Sequence, residues 1–185
     1  MAFANDIGAW HCRISNPQMS EITLKVTFMN SLIREEFPLR DTQSLRYDLL
    51  DMISDADLEF RLPGNNPSLG RLCCEIGEVE HAYIDSFETM RIDWSWRHPD
   101  PIMASSVDRL RSWYLNMDSQ FETVIARYTD DELNAKTIDR GEWSPSAYVQ
   151  FQIYREALLI FFARSSVYIR ALAKPYNAKW KKMIG

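Results

Sequence analysis

Apolar side chains recur at three- and four-residue steps along most of the chain, the spacing that gathers them on one face of an α-helix. Leu69, Leu72, Cys73, Ile76, Val79, Tyr83 and Phe87 predict a long helix that starts at Asn66-Pro67, with the asparagine as N-cap, and fades near Met90. Val107, Leu110, Trp113, Tyr114, Met117, Phe121, Val124 and Ile125 predict another over about 105–128, capped by Ser105 or Ser106. A further helix from Ser144-Pro145 to about Ala173 carries Tyr148, Phe151, Tyr154, Leu158, Phe162, Ile169 and Leu172. It is apolar on almost every side between Ala157 and Ala163, the mark of a central rather than a peripheral helix. Leu45, Leu49, Leu50, Met52 and Ile53 fit a shorter helix over about 39–53, started by Asp41 or Thr42.

The first forty residues are less regular. Ile22, Leu24, Val26 and Phe28 alternate as in a strand, but Met29, Leu32 and Ile33 continue at helical spacing up to Phe37-Pro38. Nothing else in the chain offers a strand for them to pair with. An extra helix over about 20–36, in an N-terminal extension of residues 1–38 that packs on the rest, is therefore the expectation.

Two short segments organise the remainder. Ser54-Asp-Ala-Asp-Leu58 precedes Pro67-Ser68, and Thr129-Asp-Asp-Glu-Leu133, whose Thr129 and Glu132 have capping-box spacing, precedes Pro145-Ser146. Each half reads as a helix, a capped turn, a loop and a second helix beginning at proline, and a proline-containing crossover over about 91–104 joins the halves. The predicted fold is all-α: residues 39–185 form a four-helix bundle with one long crossover and a pseudo-twofold relation, preceded by the extension.

At 185 residues and 46% hydrophobic content, one domain buries a core without staples. Cys12, Cys73 and Cys74 are odd in number and lack CxxC spacing, which suits free thiols in a reducing, cytoplasmic setting, with Cys73 and Cys74 serving as packing. No apolar run approaches the ~20 residues that cross a bilayer, so no membrane partner is expected. The net charge of −5 argues against nucleic acid, and the basic group Lys174, Lys179, Lys181 and Lys182 reads as a solvated end.

The segments SDADLEFRLPGNNPSLGRLCCEIGEVEHAYIDSF, TDDELNAKTIDRGEWSPSAYVQFQIYREALLIFFARSSVYIRALAKP and AKWKKMIG, with the helix between them, resemble the DinB-like superfamily over roughly residues 40–185. That superfamily includes the YfiT-like metal-dependent proteins and bacterial thiol-dependent transferases. The resemblance implies a bundle with one long crossover, often a homodimer. It also implies three histidines, one on the second helix and two on the fourth, that hold a divalent metal such as zinc or nickel.

The chain departs from that pattern. Glu75 stands where the second helix should carry histidine, and the fourth helix reads Arg155-Glu156-Ala157-Leu158-Leu159-Ile160-Phe161-Phe162 where its two histidines belong. Hydrocarbon side chains cannot ligate a metal. His11, His81 and His98 do not replace the set, because no pair has helical i, i+3 or i, i+4 spacing. No cofactor is expected; the alternative is a divalent metal held through the oxygens of Glu75 and Glu156.

The pocket candidates are Glu75, Glu78, Gln152, Arg155 and Glu156 near the inherited position, with Trp143 at the mouth and Tyr154 deeper inside as the resemblance implies. In one arrangement Glu75 turns inward beside Glu156 and pairs with Arg155 in place of the metal. In the other, Glu75 and Glu78 lie on a solvated flank and Glu156 makes a surface pair. Two function classes follow. One is a metal-free binding or structural homodimer, with a small molecule as ligand; the other is a small-molecule enzyme of thiol-transferase or hydrolase type with a site rebuilt around Glu75 and Glu156. A Gly-rich phosphate loop, a nucleophile elbow and an HExxH motif are all absent from the sequence.

Overall fold

Serine and threonine side chains set where the helices begin. A computed structural model describes residues 30–34 and 39–185, and its regular structure there is helical: α1 Ser31–Arg34, α2 Leu39–Asp51, α3 Asp55–Leu58, α4 Leu69–Thr89, α5 Val107–Ile125, α6 Asp130–Ala135, α7 Ala147–Ala171 and α8 Ala178–Met183, with a 3-10 turn at Met103–Ser105. The predicted extension helix falls mostly outside the described residues. Within them, Asn30 Nδ2 donates to the carbonyls of Ile125 and Tyr128 at 2.7 and 2.8 Å, which ties α1 to the end of α5.

The two halves repeat in detail. Ser54 and Asp57 form a capping box on α3, and Thr129 and Glu132 form one on α6. After each short helix an isolated antiparallel bridge, Arg61 with Ser68 and Thr137 with Ser146, holds the chain extended up to the next long helix. That is why the caps of α4 and α7 are Ser68 and Ser146, two residues later than the Asn66 and Ser144 positions expected from the prolines. Asn66 instead donates to the Pro63 carbonyl at 2.7 Å and closes the preceding turn. Ser106, one of the two predicted caps, starts α5, whereas Asp41 and Thr42 lie inside α2.

The long helices close a ring in which α2 touches α7, α7 touches α4, α4 touches α5 and α5 touches α2. The two long helices of each half therefore face each other across the diagonal, α2 opposite α4 and α5 opposite α7. Leu45, Leu49, Leu72, Tyr83, Leu110, Tyr114, Phe121, Tyr154, Leu158 and Phe162 fill the centre and are almost fully buried. The crossover is drawn tight against α4: a β-carbon on Gly70 would stand 1.8 Å from the Ala104 carbonyl oxygen and 3.1 Å from Leu58. Gly70→Ala is thus expected to force the crossover outward and to cost about 1–3 kcal/mol in urea denaturation.

Two expectations change here. Lys181 and Lys182 are exposed, but the end that carries them is docked: α8 is capped by Asn177, Trp180 is fully buried, and Lys174 pairs with Asp57 at 2.7 Å. Nor is α7 buried all round. Leu158 and Phe162 are buried, but Leu159 and Ile160 face outward, because a ring of four helices covers only the inner side of each.

Candidate functional site

A buried charge network occupies the middle of the bundle, where α2 and α4 meet across the diagonal. Arg46 on α2 and Glu80 on α4 are both fully buried, and Arg46 Nη1 donates to Glu80 Oε2. Arg46 Nη2 donates to Asp118 on α5, and the guanidinium carbon lies 4.4 Å above the Tyr114 ring. The second Glu80 oxygen accepts from Tyr154 OH on α7 at 2.6 Å and from Gln43 Nε2 at 3.1 Å. Every long helix thus contributes to one cluster. Two carboxylates around one guanidinium satisfy most of what burial would otherwise leave unpaired.

Asp118 is the outer member, with a side chain 19% exposed, and Tyr47 OH donates to its second oxygen. Burial pushes the Asp118 carboxyl up to about 7, with Arg46 pulling the other way and the charge of Glu80 adding to the rise. Burial also raises the Tyr47 phenol far above its usual value. Between about pH 4 and 7 the native state therefore holds a proton on Asp118 that the unfolded chain has released. This group's contribution to stability falls as pH rises through that window and is level above it. Asp118→Asn is expected to reduce the loss of stability between pH 5 and pH 8 relative to the wild type, measured by urea melts at both values.

Next to this cluster a cavity of about 1020 Å3 lies between α2 and α5. Gln43, Tyr47 and Asp118 give it a polar patch, and Leu39, Leu115, Ile125 and Phe151 contribute apolar wall. The arginines beside it are neutralised: Arg40 pairs with Glu122, and Arg34 pairs with Asp130 at 2.9 Å.

The residues singled out from the sequence are scattered around this centre. Tyr154 is fully buried and donates to Glu80. Glu78 is buried but belongs to another cluster: Arg71 Nη1 donates to it at 3.0 Å, the His98 backbone N–H donates at 3.2 Å, and Arg97 lies 3.7 Å away. These contacts hold its carboxyl below the usual range despite the burial. Glu75 is half-exposed and meets Arg164 at 3.5 Å, not the Arg155 proposed for it. Arg155 Nη1 donates to Gln152 at 2.6 Å, and Glu156 is exposed. Trp143 is 53% exposed and sits with Trp94 and Tyr83 around the Arg140 guanidinium, which also donates to Gln150 at 2.7 Å.

The residues do not fit a divalent ion at the inherited position. Glu75 is engaged by a guanidinium, the neighbouring α7 positions are leucine and phenylalanine, and among the described residues no group of three or more His, Cys, Asp or Glu is placed to hold a metal. Nor do the thiols invite chemistry. Cys73 and Cys74 are buried, and burial raises them to about 12 and about 11, which keeps both protonated at neutral pH. Both are expected to resist a thiol reagent in the native protein and to react on addition of urea.

No protein-family model matches the chain, and no curated protein matches it. Solved structures do. A DinB-like protein from Bacillus cereus superposes with a TM-score of 0.62 at 14% identity, covering 74% of this chain and 89% of that one. A DinB-like protein from Bacillus subtilis gives 0.58 at 12% identity, covering 82% and 92%. The fold is therefore that of the DinB-like proteins. No described helix is long and apolar enough to cross a membrane.

Proposed function

We propose that the protein is a metal-independent small-molecule-binding homodimer of the cytoplasm, with no nucleic-acid partner, and that its ligand is an organic cation with an apolar body. The observation that carries this reading is the cavity beside the buried network. One guanidinium answers two carboxylates, so once Asp118 ionises the polar patch keeps an excess negative charge. The arginines at its edge are already paired, and the remaining wall is apolar. An ammonium or amidinium would meet Asp118 and the Tyr47 oxygen while its hydrocarbon part covers Leu115 and Phe151. The net charge of −5 supports the lack of a nucleic-acid partner, and the free buried thiols support the cytoplasm. A thiol-transferase or hydrolase working through Glu75 and Glu156 has less support, because the first is tied to Arg164 and the second is exposed.

Thermal-shift and calorimetric titrations at pH 8 with phenethylamine, benzamidine and benzoate test this. The two cations are expected to bind and benzoate not to, and Asp118→Asn is expected to abolish the preference. Equal response to all three, or binding of the cations unchanged in Asp118→Asn, would overturn the assignment.

A further inference from the structure

The outer face of α7 is apolar without being covered. Val149 is 40% exposed, Leu159 53%, Ile160 61% and Val167 50%. With the half-buried Ile153 and the exposed Ala163, positions 149, 153, 156, 160, 163 and 167 follow one another at alternating four- and three-residue steps. That spacing is the seam of a two-stranded coiled coil, and Glu156 is its one charged member. The central helix that the sequence pattern predicts and the half-exposed helix that the fold delivers are reconciled if something covers this seam.

We infer that the α7 seam pairs antiparallel with the same seam of a second copy, about a twofold axis midway between Glu156 and Ile160; this rests on the homodimer part of the reading above. In that register Val149 meets Val167 of the second copy, Ile153 meets Ala163, and Ile160 meets the aliphatic stem of Glu156. Leu159 lies beside the axis against its own counterpart. Charge selects the orientation. Antiparallel pairing brings each Glu156 within one helical turn of Arg164 of the other copy, whose side chain is 46% exposed and has donors to spare beside its contact with Glu75. Parallel pairing would set Glu156 against Glu156 in an apolar seam, a juxtaposition of like charges that costs stability. The contact is self-complementary and closes at two copies.

Light scattering and sedimentation on the full chain test the face. The wild type is expected to be dimeric, and Ile160→Lys, at an exposed position that leaves the circular dichroism unchanged, is expected to weaken the dimer more than about tenfold. Glu156→Arg is expected to weaken it too, and adding Arg164→Glu to restore it. In a Cys12→Ser background, Val149→Cys and Val167→Cys proteins are expected to cross-link with each other on oxidation, and neither with itself. A dimer that Ile160→Lys leaves intact would overturn this face while the homodimer reading stands. A monomeric wild type would remove both, as when another segment or protein covers the seam, and a Val149→Cys self-link would overturn the antiparallel order.

Discussion

Glu80→Ala is expected to cost about 3–5 kcal/mol of stability, because it leaves the Arg46 guanidinium in the middle of the bundle with a single remaining carboxylate. Both side chains are fully buried, so water cannot replace the missing partner without opening the core. The same substitution also strands Tyr154 OH and Gln43 Nε2, which both donate to Glu80. Replacing the pair together, Arg46→Met with Glu80→Leu, is expected to cost less than Glu80→Ala alone, since no buried guanidinium is left short of a partner and Asp118, whose side chain is 19% exposed, is free to take up a proton. Equilibrium urea unfolding of Arg46→Met, of Glu80→Leu and of the double variant gives the coupling directly. A loss under about 1 kcal/mol for Glu80→Ala would mean that Arg46 has another anchor, and the network would lose its place at the centre of the account.

Trp180→Ala is the other large effect, expected at about 3–5 kcal/mol for a fully buried indole. Trp180 stacks edge-on with Phe162 at 5.8 Å between ring centres, and its Nε1 donates to the Leu45 carbonyl at 2.9 Å. It therefore clamps α8 onto α2 and α7 together. Lys179 adds a contact to Asp48 at 3.4 Å, but that pair is partly exposed and contributes little. Lys179→Ala is thus expected to shift the urea midpoint far less than Trp180→Ala. Similar losses from the two would indicate that charge, not the buried ring, docks the terminal helix.

The helices themselves were legible because each long one carries an apolar stripe, and α4, α5 and α7 each start at a serine cap. The caps of α4 and α7 slipped by two residues for a reason invisible in the local pattern: the bridges at Arg61 with Ser68 and Thr137 with Ser146 hold the preceding residues extended. The candidate site was harder. Glu80 occupies a core step of its helix, between Ile76 and Phe87, where the periodicity suggested that Val79 faced inward. Asp118 likewise stands between Tyr114 and Phe121. A charged residue at a core step, with Arg46 of opposite sign beside Leu45 on another helix, was the available signal. Which of these charges meet depends on the ring order that sets α2 across from α4, and helix periodicity carries no information on that order. Trp180 was missed because lysines surround it, although Asn177 three residues earlier is an ordinary N-cap signal.

Metal content tests the central claim most directly, that salt-bridged side chains rather than an ion supply the polar interior of this bundle. The full chain, purified without chelator or immobilised metal, is expected to carry no stoichiometric zinc, nickel or manganese by elemental analysis and to melt at the same temperature with and without EDTA. One equivalent of such a metal per chain, with a melting temperature that falls when EDTA removes it, would contradict the account.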